Sequence, residues 1–133
     1  MLNILDAYTT ELEPTRTYGR RSIVWIPSDG SMLGELIIKL QHAKSGVGRN
    51  IEIDTYGVEL DTPEPGDHDG MAFWLVNISN GNSQERPYRC VIGGLTPHCD
   101  CMAGKCKVPA DEGTQGCKHR DSLQHLLESG LLN

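Results

Sequence analysis

A single phenylalanine, two tryptophans and four tyrosines are all the aromatics in 133 residues, so the chain has few large side chains with which to fill a core. Apolar residues reach 38%, which fits one hydrophobic core of ordinary domain size and argues against two. Thin cores are commonly supplemented by a metal or by disulfides. Long apolar runs are lacking too: "IVWI" and "MAFWLV" fall far short of the roughly 20 residues that span a bilayer. No Lys or Arg precedes Arg16, while acids stand at Asp6, Glu11 and Glu13, the opposite of a secretory signal. These absences lead to the expectation of a soluble, cytoplasmic chain with no membrane partner. There thiols stay reduced, and clustered cysteines serve metals more often than disulfides.

Positive charge is missing from one long segment. Glu52, Asp54, Glu59, Asp61, Glu64, Asp67 and Asp69 occur without an intervening Lys or Arg, and the whole chain carries a formal charge of −6. That excludes the broad positive field behind non-specific nucleic-acid binding, though not a local basic face. The glycines of "SGVGR" match neither a Walker loop nor a dinucleotide fingerprint and suit a hairpin loop. The acids of "DTPEPGDHDG" do not follow the EF-hand order and suit a solvated loop. No repeat, low-complexity tract or long linker divides the chain, so residues 1–133 are expected to form a single domain.

Leu5, Tyr8 and Leu12, followed by Pro14, have the spacing of a short N-terminal helix over 2–13. The period then changes to that of strands in "RSIVWI", "GELIIKLQ", "RNIEIDTYGVEL", "MAFWLVNI" and "RPYRCVI". In "NIEID" the alternation marks a strand with one wet face. Successive strands without intervening helices predict an α+β fold built on a mostly antiparallel sheet.

Four of the five cysteines fall between Cys99 and Cys117. "RPYRCVI" and "LTPHCDC" flank two glycines suited to a tight hairpin turn. In the simplest register Ile92 faces Leu95, Cys99 faces Tyr88 and Cys90 faces Pro97, and Cys99 and Cys101 share a face. "GCKH" then opens a helix on which His119, Leu123, Leu126 and Leu127 lie together and which Gly130 ends. Cys117 would sit at the helix N-terminus, where the dipole favours a thiolate. Cys99, Cys101, Cys117 and His119 would close a tetrahedron without an open position, as a structural zinc requires. Cys106 and His98 are further candidates, so six donors compete for four places.

CxC on a hairpin followed by CxH at a helix start resembles the SWIM-type zinc finger. The resemblance covers about residues 84–130, with Tyr88 on the upstream strand and the "CKH" spelling; 15 residues separate Cys101 from Cys117. It implies one structural Zn2+ held by Cys99, Cys101, Cys117 and His119, clamping a β-hairpin to the C-terminal helix. It further implies a module that binds proteins or DNA, of the kind found in transposase-related, helicase-related and ubiquitin-pathway proteins. On this basis 84–133 is the zinc-binding part and 1–83 a β-rich part with a short N-terminal helix, for which no resemblance is found.

The remaining residues of interest have plainer explanations. Cys90 suits a small buried apolar position, His125 a solvated helix face, and His42 and His68 loops. Trp25 and Trp74 suit core packing rather than base stacking. Catalysis by Cys99 or Cys117 with His119 lacks a third orienting group, and the cysteines lack the CxxC context of a thioredoxin. The expectation is therefore a non-catalytic interaction module, not an enzyme, with a protein partner. Nucleic acid ranks second, held through Arg86, Arg89, Lys105, Lys107, Lys118 and Arg120, and a small thiol-dependent enzyme or redox protein ranks third.

Overall fold

Alternation of apolar and polar side chains builds a single sheet. The computed structural model describes residues 7–14, 18–28, 32–42, 51–67, 69–78, 87–95, 98–100 and 117–132. Its strands are β1 (Tyr8–Leu12), β2 (Tyr18–Pro27), β3 (Gly34–His42), β4 (Ile51–Asp61), β5 (Met71–Asn77), β6 (Tyr88–Ile92) and β7 (His98–Cys99). They pair antiparallel in chain order. On β3, Leu36, Ile38 and Leu40 are fully buried on one face, with Glu35, Ile37 and Lys39 on the other. Their inward neighbours across the ladders include Ile23, Trp25 and Tyr56, and the same face continues through Val58, Leu75 and Tyr88.

One helix, α1 (Lys118–Glu128), covers that face with His119, Ser122, Leu123 and Leu126 buried. It ends because Gly130 takes φ +77°. The Gly130 amide then donates to the Leu127 carbonyl at 3.0 Å and the Leu131 amide to the Leu126 carbonyl at 2.9 Å, a Schellman motif. His119 approaches Cys99 on β7, and His125 reaches Tyr8 on β1. In a flat sheet six strand spacings of about 4.8 Å would hold those edges roughly 29 Å apart. The two histidines lie only about 9 Å apart along the helix axis. The sheet must therefore curl round α1 and bring its edges toward each other. Among the described residues no helix is long and apolar enough to cross a membrane.

Three sequence expectations need correction. Residues Tyr8–Leu12 form a strand, not part of an N-terminal helix, with Tyr8, Thr10 and Leu12 half-buried and Thr9 and Glu11 exposed. Paired β-branched threonines and a ready edge on β2 outweigh a weak helical spacing; residues 1–6 lie outside the described residues. Trp25 is a core residue at 1% exposure, whereas Trp74 is half-buried on the opposite sheet face beside Asp61. In β4 the apolar pair points outward: Ile51 and Ile53 are 43% and 57% exposed. Glu52 and Asp54 instead share the inward face with Tyr56, where Glu52 meets Tyr18 and His42 and Asp54 meets Lys118. Alternation alone says nothing about polar partners waiting on the other layer.

A buried ion pair fastens α1 to β2. Arg21, only 6% exposed, donates to Asp121 at 2.8 Å and to the Glu13 carbonyl at 2.8 Å. Asp121→Asn leaves the guanidinium without its anion and should lower stability by about 2 kcal/mol, discounted because the carboxylate is partly exposed. Urea denaturation checks this. The double change Arg21→Met with Asp121→Leu should recover most of the loss, because apolar pairs replace such ion pairs at little cost.

Candidate metal centre

Three donors meet under the N-terminus of α1. Cys99 belongs to the inward face of β7, Cys117 precedes the first helical residue with extended backbone, and His119 follows in the first turn. All three are buried, at 4%, 4% and 3% exposure. His119 Nδ1 lies 3.4 Å from Cys117 Sγ and 3.7 Å from Cys99 Sγ. The three donor atoms all lie within 4.8 Å of one another. Bonds of about 2.3 Å to sulfur and 2.0–2.1 Å to nitrogen at a tetrahedral angle imply sulfur–nitrogen edges of about 3.6 Å. Both edges to Nδ1 thus suit three corners of one coordination tetrahedron, and this buried Cys-Cys-His group could hold a metal ion.

Helix polarity does not by itself ionise Cys117. Its hydrogen bond with Cys99, and next its burial, push the thiol well above its ordinary range, against a smaller opposing pull from His119. The side chain makes no capping hydrogen bond to the helix amides, so the dipole acts without its strongest contact. The pocket therefore opposes ionisation of Cys117 until a cation enters. Thiolates are the ligating form, so loading must release protons, and acid must oppose it.

The hairpin carrying Cys99 has a different register from the simplest one. Cys90 pairs with Cys99 and Val91 with His98, two residues away from the expected Ile92–Leu95 alignment. Gly93 and Gly94 both take φ +69°, and the Gly93 amide donates to Gln124 Oε1 at 3.2 Å. The turn is thus longer than two residues and is held by α1. A slip of two preserves the side-chain face, so Cys99 still points inward although it faces Cys90 rather than Tyr88. Beyond Cys99 the pairing continues: the Asp100 amide donates to the Arg89 carbonyl at 3.1 Å, and the Arg89 amide donates to Asp100 Oδ1 at 2.8 Å.

Of the expected ligands, Cys99, Cys117 and His119 come together, while Cys101 lies outside the described residues, as does the competing Cys106. His98 falls on the opposite face of β7 and is exposed. Cys90 is a fully buried core residue outside the donor group. His125 is not simply solvated: its Nε2 lies 3.0 Å from Tyr8 Oη and its ring stacks on the tyrosine. His42 ends β3 beside Glu52, and His68 lies outside the described residues.

Tyr56, near the donors, was missed in the sequence, whereas Tyr88 was already placed on the strand upstream of them. Tyr56 Oη lies 2.9 Å from His119 Nε2, and the Tyr88 ring sits 5.1 Å from the imidazole. No spacing rule connects Tyr56 to a residue 63 positions away; only its inward parity on β4, once the strand's face is known, would point to it.

The neighbouring charges are paired across the sheet. Arg89 Nε donates to Asp61 Oδ2 at 2.7 Å, and Lys118 Nζ donates to Asp54 Oδ2 at 3.4 Å. Arg89 holds the Asp61 carboxyl below its ordinary range. Two members of the expected basic patch are thus neutralised by the acidic segment. Arg86, Lys105 and Lys107 lie outside the described residues. The chain matches no protein-family model, no curated protein and no solved structure.

Proposed function

We propose that the protein is a SWIM-type zinc-binding interaction module, in which one structural Zn2+ is held by Cys99, Cys101, Cys117 and His119. The observation that carries this is the buried Cys99–Cys117–His119 triangle with edges of 3.4 and 3.7 Å to Nδ1. Sulfur-rich donors in a buried pocket suit zinc, and in this reading Cys101, two residues beyond Cys99 in sequence, is the fourth ligand and third thiolate. Four protein ligands leave no position for water or substrate, so the ion holds structure and does not catalyse. The partner is a protein. Arg89 and Lys118 already face carboxylates, and three thiolates with one Zn2+ add a further net −1 to an acidic chain. Ile51, Ile53 and Ile78 stand 43%, 57% and 45% exposed as apolar side chains for such contact. The same reading takes the module to be cytoplasmic, where thiols stay reduced and available to zinc.

Elemental analysis of purified protein should give one zinc per chain, and chelation should loosen the last hairpin and α1. Less than about half an equivalent, with unchanged folding after chelation, would sink the zinc reading. Titration with fluorescent single-stranded DNA at physiological salt should show dissociation constants no tighter than about 10⁻⁶ M. Submicromolar binding lost in Lys118→Glu with Arg120→Glu would replace the protein partner by nucleic acid.

A further inference from the structure

We infer that Tyr56, on β4, is the positioning residue that aims His119 Nδ1 at the metal and carries the presence of the metal into the centre of the sheet. The inference rests on the zinc reading above and extends it to a strand outside the region of family resemblance.

A neutral imidazole has one N–H and one lone pair, and the partner of one nitrogen decides the role of the other. Here the two nitrogens face different surroundings. Nδ1 lies 3.7 and 3.4 Å from the Cys99 and Cys117 sulfurs, whereas Nε2 lies 2.9 Å from Tyr56 Oη. When Nδ1 gives its lone pair to an ion, the proton resides on Nε2 and is donated to the Tyr56 oxygen. The ring is confined as well. Tyr56 meets it edge-on at 4.9 Å and 88°, and Tyr88 lies against it at 5.1 Å and 35°.

Tyr56 is 2% exposed, so no bulk water can replace its oxygen as acceptor. Hydrogen bonds of this kind set the orientation and basicity of a ligating histidine, and their loss typically weakens metal binding 10- to 100-fold. The same contact ties the ion to β4. Lys118 and Asp54 make a second tie one residue earlier on α1 and two residues earlier on β4. A metal bound at the hairpin and helix is thus felt in the middle of the sheet.

Tyr56→Phe tests the role, because it keeps the ring that packs against the imidazole and removes only the acceptor. Cobalt(II) titration with competition by a chromophoric chelator should show affinity reduced 10- to 100-fold, with the tetrahedral absorption pattern retained. Nitrogen NMR of His119 in the zinc-loaded wild-type protein should show Nδ1 bound and Nε2 protonated, a readout that needs no variant. Hydrogen exchange at the β4 amides should respond to zinc removal in the wild type and less so in Tyr56→Phe. Wild-type affinity in Tyr56→Phe, or a metal on Nε2, would overturn this inference and leave the zinc site standing. A wild-type protein that takes up no metal would overturn both.

Discussion

Cys117→Ser and His119→Ala should each abolish zinc retention and unfold the last hairpin and α1. The expected effect is large because zinc in a small four-ligand site contributes about 10–16 kcal/mol of binding free energy, which is folding free energy for whatever the ion holds together. Cys117 sits where the chain enters α1, and His119 joins that entry to Cys99 on β7. Removing either ligand leaves an open position over buried thiols, and α1 is then held by its leucine contacts, the Arg21–Asp121 and Lys118–Asp54 pairs and the contacts of Gln124 with Gly93 and His125 with Tyr8. Zinc content after gel filtration, with hydrogen exchange along α1, measures the result. Cys90→Ala and Cys106→Ser should retain zinc, since Cys90 belongs to the core and Cys101 is the proposed fourth ligand. If Cys106→Ser strips the metal as completely as Cys117→Ser, the ligand set is wrong.

Most strands were legible in the sequence because each carries an inward apolar repeat bounded by turn residues. "GELIIKLQ" became β3 with Leu36, Ile38 and Leu40 inside, and "MAFWLVNI" became β5 with Phe73 and Leu75 inside. The failures have a common cause. β1 is a strand because β2 offers it an edge, and Glu52 and Asp54 turn inward because Tyr18, His42 and Lys118 receive them. Neither fact exists until distant segments are assembled.

The candidate site divides in the same way. Cys117, His119 and the leucine face of α1 could be read directly, since helical spacing and a terminating glycine are local properties. Cys99 kept its predicted face only because the hairpin slipped by two residues rather than one. The thiol's preference for its neutral form could not be read, because it depends on a sulfur from another strand and on burial. Tyr56 was invisible for the same reason.

Gly34→Ala should be the most damaging change outside the metal ligands. A Cβ on Gly34 would lie 2.5 Å from the Ile26 carbonyl oxygen and 2.8 and 2.9 Å from atoms of the Trp25 ring. The carbonyl belongs to the β2 ladder beside the Pro27–Gly34 pair, and the ring is 1% exposed in the core, so neither can retreat cheaply. Overpacking of this kind costs about 3 kcal/mol, which lowers the melting temperature by roughly 10 °C in a domain of this size. The lesion lies on β3, away from the donors, and that makes it a test of how far the metal's influence extends. Zinc at about 100 times its dissociation constant stabilises by about 2.7 kcal/mol whatever unfolds together with its site. His119–Tyr56 and Lys118–Asp54 connect that site to β4, and β4 pairs directly with β3. Added zinc should therefore raise the melting temperature of Gly34→Ala by about as much as that of the wild type, in one transition seen equally by tryptophan fluorescence and helix circular dichroism. An early fluorescence transition in Gly34→Ala that zinc does not move would show that the sheet around Trp25 unfolds separately from the metal-held hairpin and helix.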